Sequence, residues 1–202
     1  VGDDVKSFSI DDNVIVGGKT GSFAEEIVVT EDLLRLKPNI LNWEQAASFT
    51  VAYLTAYVAL VCRGNIENGE SLLVHGAAGG VGLAAVDLGI HYGAKVIATS
   101  ASSSKREFLS SYGAHYVLPD NGFKDKVKEL TPSNGADIIY DPVGGDVFDE
   151  SVRCIAWNGR LLVIGFTSGR IPSIGVNMPL IKGFSVVGVR GGEYGRRNPE
   201  MG

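Results

Sequence analysis

Four glycines, Gly76, Gly79, Gly80 and Gly82, lie close together between a short apolar run and a stretch of helical residue types. At such a junction glycine permits a tight strand-to-helix reversal and lets the backbone approach a diphosphate without a Cβ in the way. The N–H groups and the dipole of the following helix favour the same negative charge. The spacing therefore predicts a dinucleotide-binding turn, and glycines that serve only packing are the alternative.

Residues 98–106 indicate which dinucleotide would bind. An NAD-selective site usually carries Asp or Glu about twenty residues after the glycines, bound to the ribose 2′-hydroxyl. Residues 98–106 contain no carboxylate, and they offer serine hydroxyls, among them Ser100 and Ser102, with the cations Lys105 and Arg106. These groups suit a 2′-phosphate, so we favour NADP(H) over NAD(H). A serine helix cap with a solvated Lys–Arg pair explains the same residues, and both interpretations can hold together.

Two loops follow strand-like runs, at residues 141–145 and 165–169. Ligands of parallel sheets bind outside the carboxyl ends of the strands, so we expect both loops beside the nicotinamide half of the cofactor. The alternative is simple loop chemistry, with Asp141 and Asp146 acting as turn or cap residues.

The other residues of chemical interest form no catalytic constellation. His75, His91 and His115 fall on a predicted strand, a helix and a strand entry, so we expect packed or surface histidines. Cys62 and Cys154 have no motif spacing, which predicts reduced, buried thiols in a cytosol-like compartment. Zinc dehydrogenases need Cys and His ligands that two isolated cysteines do not supply, and we therefore expect no metal.

These groups need a scaffold in which strands and helices alternate. Buried-type apolar runs alternate with helical stretches and glycine stops over most of the chain. That order predicts an α/β fold with a doubly wound parallel sheet. The predicted strands are residues 71–75, 96–99, 116–118, 136–140, 160–164 and 184–189, and the predicted helices are residues 42–60, 83–92, 104–112, 123–130 and 146–156.

Residues 1–36 have a different character. Short apolar runs at residues 14–16 and 24–29, with a turn at Gly17 and Gly18 between them, predict strands of an antiparallel β region. So short a region cannot enclose a core, and we expect its apolar side chains to stay partly uncovered.

Composition and charge exclude several classes of function. The chain has 202 residues, 45% of them hydrophobic and 20% charged, as in an ordinary globular protein. Its net charge of −5 argues against a non-specific nucleic-acid surface. No uninterrupted apolar run reaches the length of a membrane span, and the charged start lacks the apolar segment of a signal peptide. We expect a cytoplasmic protein with a small-molecule substrate and no membrane or specific nucleic-acid partner.

Six stretches resemble, in residue type, order and spacing, the medium-chain dehydrogenase/reductase superfamily, in its zinc-free NADPH:quinone oxidoreductase (zeta-crystallin-like) branch. These are residues 1–5, 21–25, 52–57, 74–82, 141–145 and 159–166. The resemblance implies part of a GroES-like catalytic domain at residues 1–41 and a Rossmann NADP-binding domain at residues 42–189. Residues 190–202 would begin the return to the catalytic domain.

The same resemblance implies NADPH-dependent transfer of hydride to a quinone or an α,β-unsaturated carbonyl. An enoyl-thioester reductase of the same superfamily and a non-catalytic NADPH-binding protein or sensor are the alternatives. Tyr53 and Tyr57 are weak candidates for the donor to the oxyanion, and aromatic packing explains them equally well. The residues implied to bind the cofactor are Thr55, Ala78, Gly79, Gly80, Val81, Ser100, Ser102, Lys105, Val143, Ile164, Gly165 and Phe166.

As an edge, the strand at residues 184–189 would expose unpaired N–H and C=O groups. The resemblance implies that it pairs with its two-fold mate in a homodimer, as relatives do. An edge protected by twist, or by Lys182 and Arg190 at its ends, is the alternative. Relatives of the branch begin upstream of Val1 and continue past Gly202, with strands that carry most active-site side chains. We therefore expect these 202 residues to bind NADPH and to reduce quinones poorly by themselves.

Overall fold

The described residues of the computed structural model are 1–17, 21–132, 134–198 and 200. Gly18, part of the predicted turn, lies outside them. Two compact units divide the chain, Val1–Thr50 and Val51–Gly202. The domain limits expected from the resemblance, after residue 41 and after residue 189, stay predictions.

In the first unit two short strands, β1 (Val14–Val16) and β2 (Leu34–Leu36), pair antiparallel. The strand predicted at residues 24–29 is wrong, since these residues join no sheet in the described part of the chain. An apolar run becomes a strand only where a neighbour supplies the cross-strand hydrogen bonds. Val16 and Ile27 are 40% and 43% exposed, which confirms that apolar side chains of this region are partly uncovered.

The first long helix, α1 (Trp43–Tyr57), begins with the capping box that the sequence predicts. Asn42 Oδ1 accepts from the Gln45 N–H at 2.7 Å, and Gln45 Oε1 accepts from the Asn42 N–H at 3.0 Å. Beyond Tyr57 the chain continues as a π-helix, Val58–Arg63. Such wide turns are rare and frequently occur at functional sites.

The helical stretch Trp43–Arg63 is long and apolar enough to cross a membrane, with 21 residues and a mean hydropathy of 1.5. The prediction from sequence considers only uninterrupted apolar runs as membrane spans. It does not find this helix, because polar residues interrupt its apolar sequence. The core helix of a globular domain passes the same test, so length and composition alone do not assign the segment to a membrane.

The second unit alternates strands and helices from residue 71 onward. The elements are β3 (Ser71–Val74), α2 (Gly80–His91), β4 (Lys95–Thr99), α3 (Ser103–Tyr112), β5 (Tyr116–Leu118), α4 (Lys124–Leu130), β6 (Ala136–Asp141), α5 (Gly145–Ser151), β7 (Ile155–Val163), α6 (Asn177–Lys182), β8 (Ser185–Gly188) and α7 (Gly191–Arg197). The six strands form one parallel sheet in the order β5-β4-β3-β6-β7-β8. This is the doubly wound α/β architecture that the sequence predicts.

The largest errors in the predicted boundaries lie between α5 and β7. The helix expected at residues 146–156 ends at Ser151, and β7 begins at Ile155, five residues before the expected strand at 160–164. The cause is an irregularity inside the strand. Asn158 has a positive φ of 60°, and the register shifts where β7 pairs with β6. A bulge therefore carries one strand through residues of turn character.

Each central strand buries side chains on both faces of the sheet, as parallel sheets covered by helices on both sides require. On β3, Leu72 and Val74 point to one core and Leu73 points to the other. Neighbouring strands continue both layers. Ile138 and Leu162 belong to the first core, and the second contains Ile97, Ile139 and Leu161.

Candidate dinucleotide site

The candidate site lies where the chain direction changes between β3 and β6, which are neighbours in the sheet. From β3 the chain proceeds to β4 on one side, and from β6 it proceeds to β7 on the other. Ligands of doubly wound sheets bind in the crevice outside the carboxyl strand ends at such a point. The glycine turn follows β3 at this edge, and Asp141 ends β6 there.

The glycines of the turn have two kinds of surroundings: some have no room for a Cβ, and others face open space. A Cβ on Gly82 would lie 2.4 Å from the Gly76 carbonyl oxygen, so only glycine allows α2 to pack this closely. A Cβ on Gly80 would meet nothing within 4 Å. Gly79 and Gly80 are exposed at the start of α2, whose first N–H groups have no intrahelical partner. The close packing expected of these glycines is therefore found at Gly82, and Gly80 leaves the open space that a diphosphate would need.

The loop after β4 contains the serine helix cap expected as the alternative, and it leaves the Lys105 side chain exposed. Ser102 is the N-cap of α3, and its Oγ accepts from the Lys105 N–H at 3.4 Å. Arg106 donates to the carbonyl oxygens of Ser100 and Ala101 at 2.8 and 2.7 Å, which holds the loop in place. The Lys105 side chain is exposed beside the buried Ser100. The loop thus offers hydroxyls and one exposed ammonium group, and no carboxylate.

His75, the last residue before the turn, is fully buried and bridges three elements. Its Nδ1 lies 2.9 Å from Thr99 Oγ1 at the end of β4, and its Nε2 lies 2.8 Å from Ser151 Oγ on α5. The single Ser151 hydroxyl hydrogen is donated to the Val147 carbonyl oxygen at 2.7 Å. Nε2–H is therefore the donor to Ser151, and Nδ1 accepts from Thr99.

The surroundings of His75 keep the imidazole neutral. Burial lowers its pKa from 6.5 to about 3, and the Phe123 ring packs at 4.8 Å between centroids. The prediction of a packed histidine is confirmed here, whereas His91 and His115 are exposed. A neutral imidazole with a hydrogen bond at each ring nitrogen positions the start of the glycine turn and is a poor general base.

The two predicted loops are joined to each other by hydrogen bonds. Asp141 Oδ1 accepts from the N–H groups of Val143 and Gly144 at 2.8 and 2.9 Å, which is the turn role expected as the alternative. Burial raises the pKa of this carboxyl, and the two N–H donors lower it in part. The Asp141 carbonyl oxygen also accepts from the Ile164 N–H at 2.9 Å. The N–H groups of Thr167 and Ser168 donate to the carbonyl oxygens of Pro142 and Val143 at 3.1 and 3.0 Å, so the two loops form one hydrogen-bonded wall of the crevice.

Side-chain packing completes that wall. A Cβ on Gly76 would lie 3.5 Å from Val143 Cγ2, so Val143 lies over the glycine turn. Gly144 has φ of +69°, and a Cβ there would lie 2.9 Å from Phe166 Cδ1. The Phe166 ring thus packs over Gly144 and is still 39% exposed. The structure brings together the predicted Val143, Ile164, Gly165 and Phe166.

A cavity of about 520 Å³ opens beyond this wall, at the carboxyl ends of β7 and β8. Ile164 and Phe166 line it together with residues of α7. Thr55, predicted to face the nicotinamide, is half-buried against the start of α7, where a Cβ on Gly191 would lie 3.1 Å from Thr55 Oγ1. The packing of α7 near Thr55 is a contact that the sequence did not indicate.

The two candidate tyrosines have different environments. Tyr53 donates to Asp87 Oδ2 of α2 at 2.7 Å, and burial together with that carboxylate raises its pKa. Asp87 lies seven residues beyond the start of α2, roughly 10 Å along the helix from Gly80. Tyr53 is thus turned towards the flank of α2. Tyr57 is 42% exposed at the end of α1.

The donors present do not fit a zinc ion. No group of three or more His, Cys, Asp or Glu residues is placed to hold a metal within the described ranges. Cys154 is buried with its thiol pKa raised by burial to about 12, and Cys62 is half-buried on the π-helix. The glycine turn, in contrast, fits a dinucleotide, because Gly82 allows close helix packing and Gly80 leaves open space at the helix start.

Comparison with known protein families gives a match over residues 80–201, to the model described as zinc-binding dehydrogenase. A quinone oxidoreductase-like protein 2 homolog from Nematostella vectensis is 42% identical over 205 residues, covering 100% of this chain and 56% of the relative. The chain therefore spans about half the length of the curated relatives it matches.

Two solved structures are similar in fold. The quinone oxidoreductase of Pseudomonas syringae pv. Tomato DC3000 matches with a TM-score of 0.85 at 30% identity, over 97% of this chain and 62% of that one. The quinone oxidoreductase of Thermus thermophilus, whose structures include its complex with NADPH, matches with a TM-score of 0.79 at 29% identity. That match covers 90% of this chain and 58% of the Thermus chain.

Proposed function

Because the chain belongs to the medium-chain dehydrogenase/reductase superfamily, in its quinone oxidoreductase branch, we propose that it binds NADPH for hydride transfer to a quinone or an α,β-unsaturated carbonyl. The observation that carries the proposal is the open start of α2 at the point where the sheet changes direction. There the exposed Gly80, the first residue of α2, presents its backbone N–H group to a diphosphate, whereas the Gly79 N–H is donated to the Gly76 carbonyl oxygen at 2.9 Å.

The chain's own residues would hold the cofactor along the strand ends. The N–H groups of Ala78, Gly80 and Val81 would bind the pyrophosphate, with Gly79 shaping the turn through its own bond to Gly76. Lys105 with Ser100 and Ser102 would bind the 2′-phosphate. The absence of a carboxylate in residues 98–106 supports the choice of NADPH over NADH. NADPH supplies the hydride when bound.

The wall of Val143, Ile164 and Phe166 would orient the nicotinamide and exclude water from one side of it. The hydrogen bonds between the two loops support this role, because they hold the wall rigid. Thr55 would face the ring from the other side. Tyr57 is the better of the two candidates for the oxyanion donor, since the Tyr53 hydroxyl is bound to Asp87.

The exposed edge of the sheet bears on the assembly of the protein. β8 ends the sheet order, and Val186 on it is 39% exposed, which suits pairing with a second copy. A homodimer through this strand and a cytoplasmic location complete the proposal.

The test is NADPH oxidation by a simple quinone, followed at the NADPH absorbance band. We expect slow turnover by the 202 residues and full turnover when they are joined to the flanking segments of a quinone oxidoreductase relative, with similar NADPH affinity in both. Turnover with NADPH that never exceeds the uncatalysed rate, in either protein, would favour a non-catalytic NADPH-binding role.

A further inference from the structure

An arginine holds the backbone of the loop between β4 and α3. Arg106 Nη1 donates to the carbonyl oxygens of Ser100 and Ala101 at 2.8 and 2.7 Å. Helical side chains point back towards the helix N-terminus, so Arg106 reaches these carbonyls from the start of α3. Ser100 and Ala101 join β4 to the Ser102 cap. The guanidinium therefore fixes the backbone that carries the Ser100 and Ser102 hydroxyls.

The same two bonds decide which charges the loop presents to an anion. A carbonyl oxygen carries a partial negative charge, which repels a phosphate dianion at short range. Here the carbonyl oxygens of Ser100 and Ala101 are bound to a cation, through one nitrogen that has two hydrogens to donate. The Lys105 side chain beside them is exposed. The loop thus offers an ammonium group and hydroxyls, while the negative ends of two peptide groups are neutralised.

The start of α3 carries more positive charge than a helix N-terminus normally tolerates. This end of a helix has a partial positive charge, so Asp and Glu are favourable in its first turn and cations are unfavourable. The first turn of α3 has no acidic residue, and Lys105 and Arg106 stand at the third and fourth positions of the helix. A phosphate bound in front of the helix would balance this charge.

We infer that Arg106 is a positioning residue for 2′-phosphate selectivity. By holding the carbonyl oxygens of Ser100 and Ala101, it sets the places of the hydroxyls and of the Lys105 ammonium group that bind the phosphate. Arg106 acts through this loop rather than by contact with the phosphate. The inference rests on the proposed function, since it takes the loop as the 2′-phosphate site.

The experiment compares two ligands that differ in one phosphate, adenosine 2′,5′-bisphosphate and adenosine 5′-monophosphate. Both lack the nicotinamide half, so neither the nicotinamide wall nor turnover affects the result. Isothermal titration of the 202-residue chain gives both dissociation constants. We expect a preference for the bisphosphate of roughly tenfold in the wild type and about twofold or less in Arg106→Met. Arg106→Lys, which keeps a cationic donor for the carbonyls, should retain most of the preference.

Hydrogen exchange of the unliganded chain separates positioning from a direct effect of charge. Arg106→Met should speed amide exchange in residues 100–106 and leave the other peptides unchanged, which also shows that the variant is folded. In Arg106→Lys the loop should exchange as slowly as in the wild type. The matched control is Arg153→Met, which removes the same charge from an exposed arginine between α5 and β7. It should change neither the preference nor the exchange of the loop.

The inference requires the preference to fall in the variants whose loop exchanges faster, and only in those. A preference kept in Arg106→Met, or one that falls there without faster exchange of the loop, would overturn it. Equal reductions in Arg106→Met and Arg153→Met would do the same. These results refute the role of Arg106 alone, whereas equal affinity of the wild type for the two ligands would refute the choice of NADPH in the proposed function as well.

Discussion

Acidification is expected to destabilise the second unit through His75, the buried residue that joins β3, β4 and α5. Its imidazole is fully buried, and its pKa is lowered to about 3 from the ordinary 6.5. Between these values the unfolded chain binds a proton at this residue and the folded chain does not. Stability therefore falls as the pH decreases from about 6.5 towards 3 and is fully present above 6.5.

The magnitude follows from the size of the shift. At about pH 4.5, two units below the ordinary pKa, the protonation of His75 in the unfolded chain lowers the free energy of unfolding by about 3 kcal/mol. The full shift of 6.5 − 3 = 3.5 units corresponds to about 5 kcal/mol, a large share of the stability of a typical domain. The pKa of Asp141 is raised by burial, which acts in the opposite direction and makes a variant comparison necessary.

The comparison is with His75→Gln, which keeps a donor for Ser151 and cannot titrate. Urea unfolding is followed by circular dichroism between neutral pH and about pH 4.5. We expect the variant to be less stable at neutral pH, because the bond to Thr99 is lost. The difference in free energy of unfolding between the two proteins should narrow by about 3 kcal/mol at about pH 4.5. Parallel losses of stability in both proteins would refute the assignment of a neutral, buried imidazole.

Three further predictions concern the rest of the molecule. Tyr140→Phe should raise the free energy of unfolding by about 1 kcal/mol, since the buried Tyr140 hydroxyl has no hydrogen-bond partner among the described residues. Tyr53→Phe loses the bond to Asp87 and should lower the free energy of unfolding by about 0.5–1 kcal/mol. A change of the same sign in both would contradict this. Val186→Pro, which removes an N–H that faces away from β7, should shift a dimer towards monomer in sedimentation, and an unchanged mass would count against pairing through β8. Elemental analysis should find well under one zinc per chain, and a stoichiometric signal that survives dialysis would overturn the zinc-free assignment.

The parallel sheet was predictable because its signals are local. Buried parallel strands appear as continuous apolar runs such as Leu72–Val74 in β3, and glycines or caps end the helices between them. The prediction failed where the residue types of a segment favoured a different secondary structure from the one that the segment forms. The Asn158 bulge hid the first half of β7, and the apolar run at 24–29 had no partner strand.

The site was predictable only in part, because much of it is built from contacts between distant residues. The glycine turn and the Ser102 cap are local patterns, and they were found. The bridge from His75 to Ser151 joins residues 76 apart, and Arg63 reaches Gly188 across 125 residues. No periodicity or motif in one sequence reports such contacts. The π-helix before Arg63 also has no sequence pattern of its own.

The most direct measurement of the central claim is the affinity of the chain for NADPH and NADH, with Lys105→Ala beside the wild type. Isothermal titration at one salt concentration gives both dissociation constants without any need for turnover. We predict tighter binding of NADPH by roughly tenfold or more, as one charge-assisted phosphate contact of about 1.5–3 kcal/mol allows, and loss of most of that preference in the variant. NADH binding as tight as NADPH binding in the wild type, or no binding of either cofactor, would contradict the claim that this chain forms an NADPH-selective site.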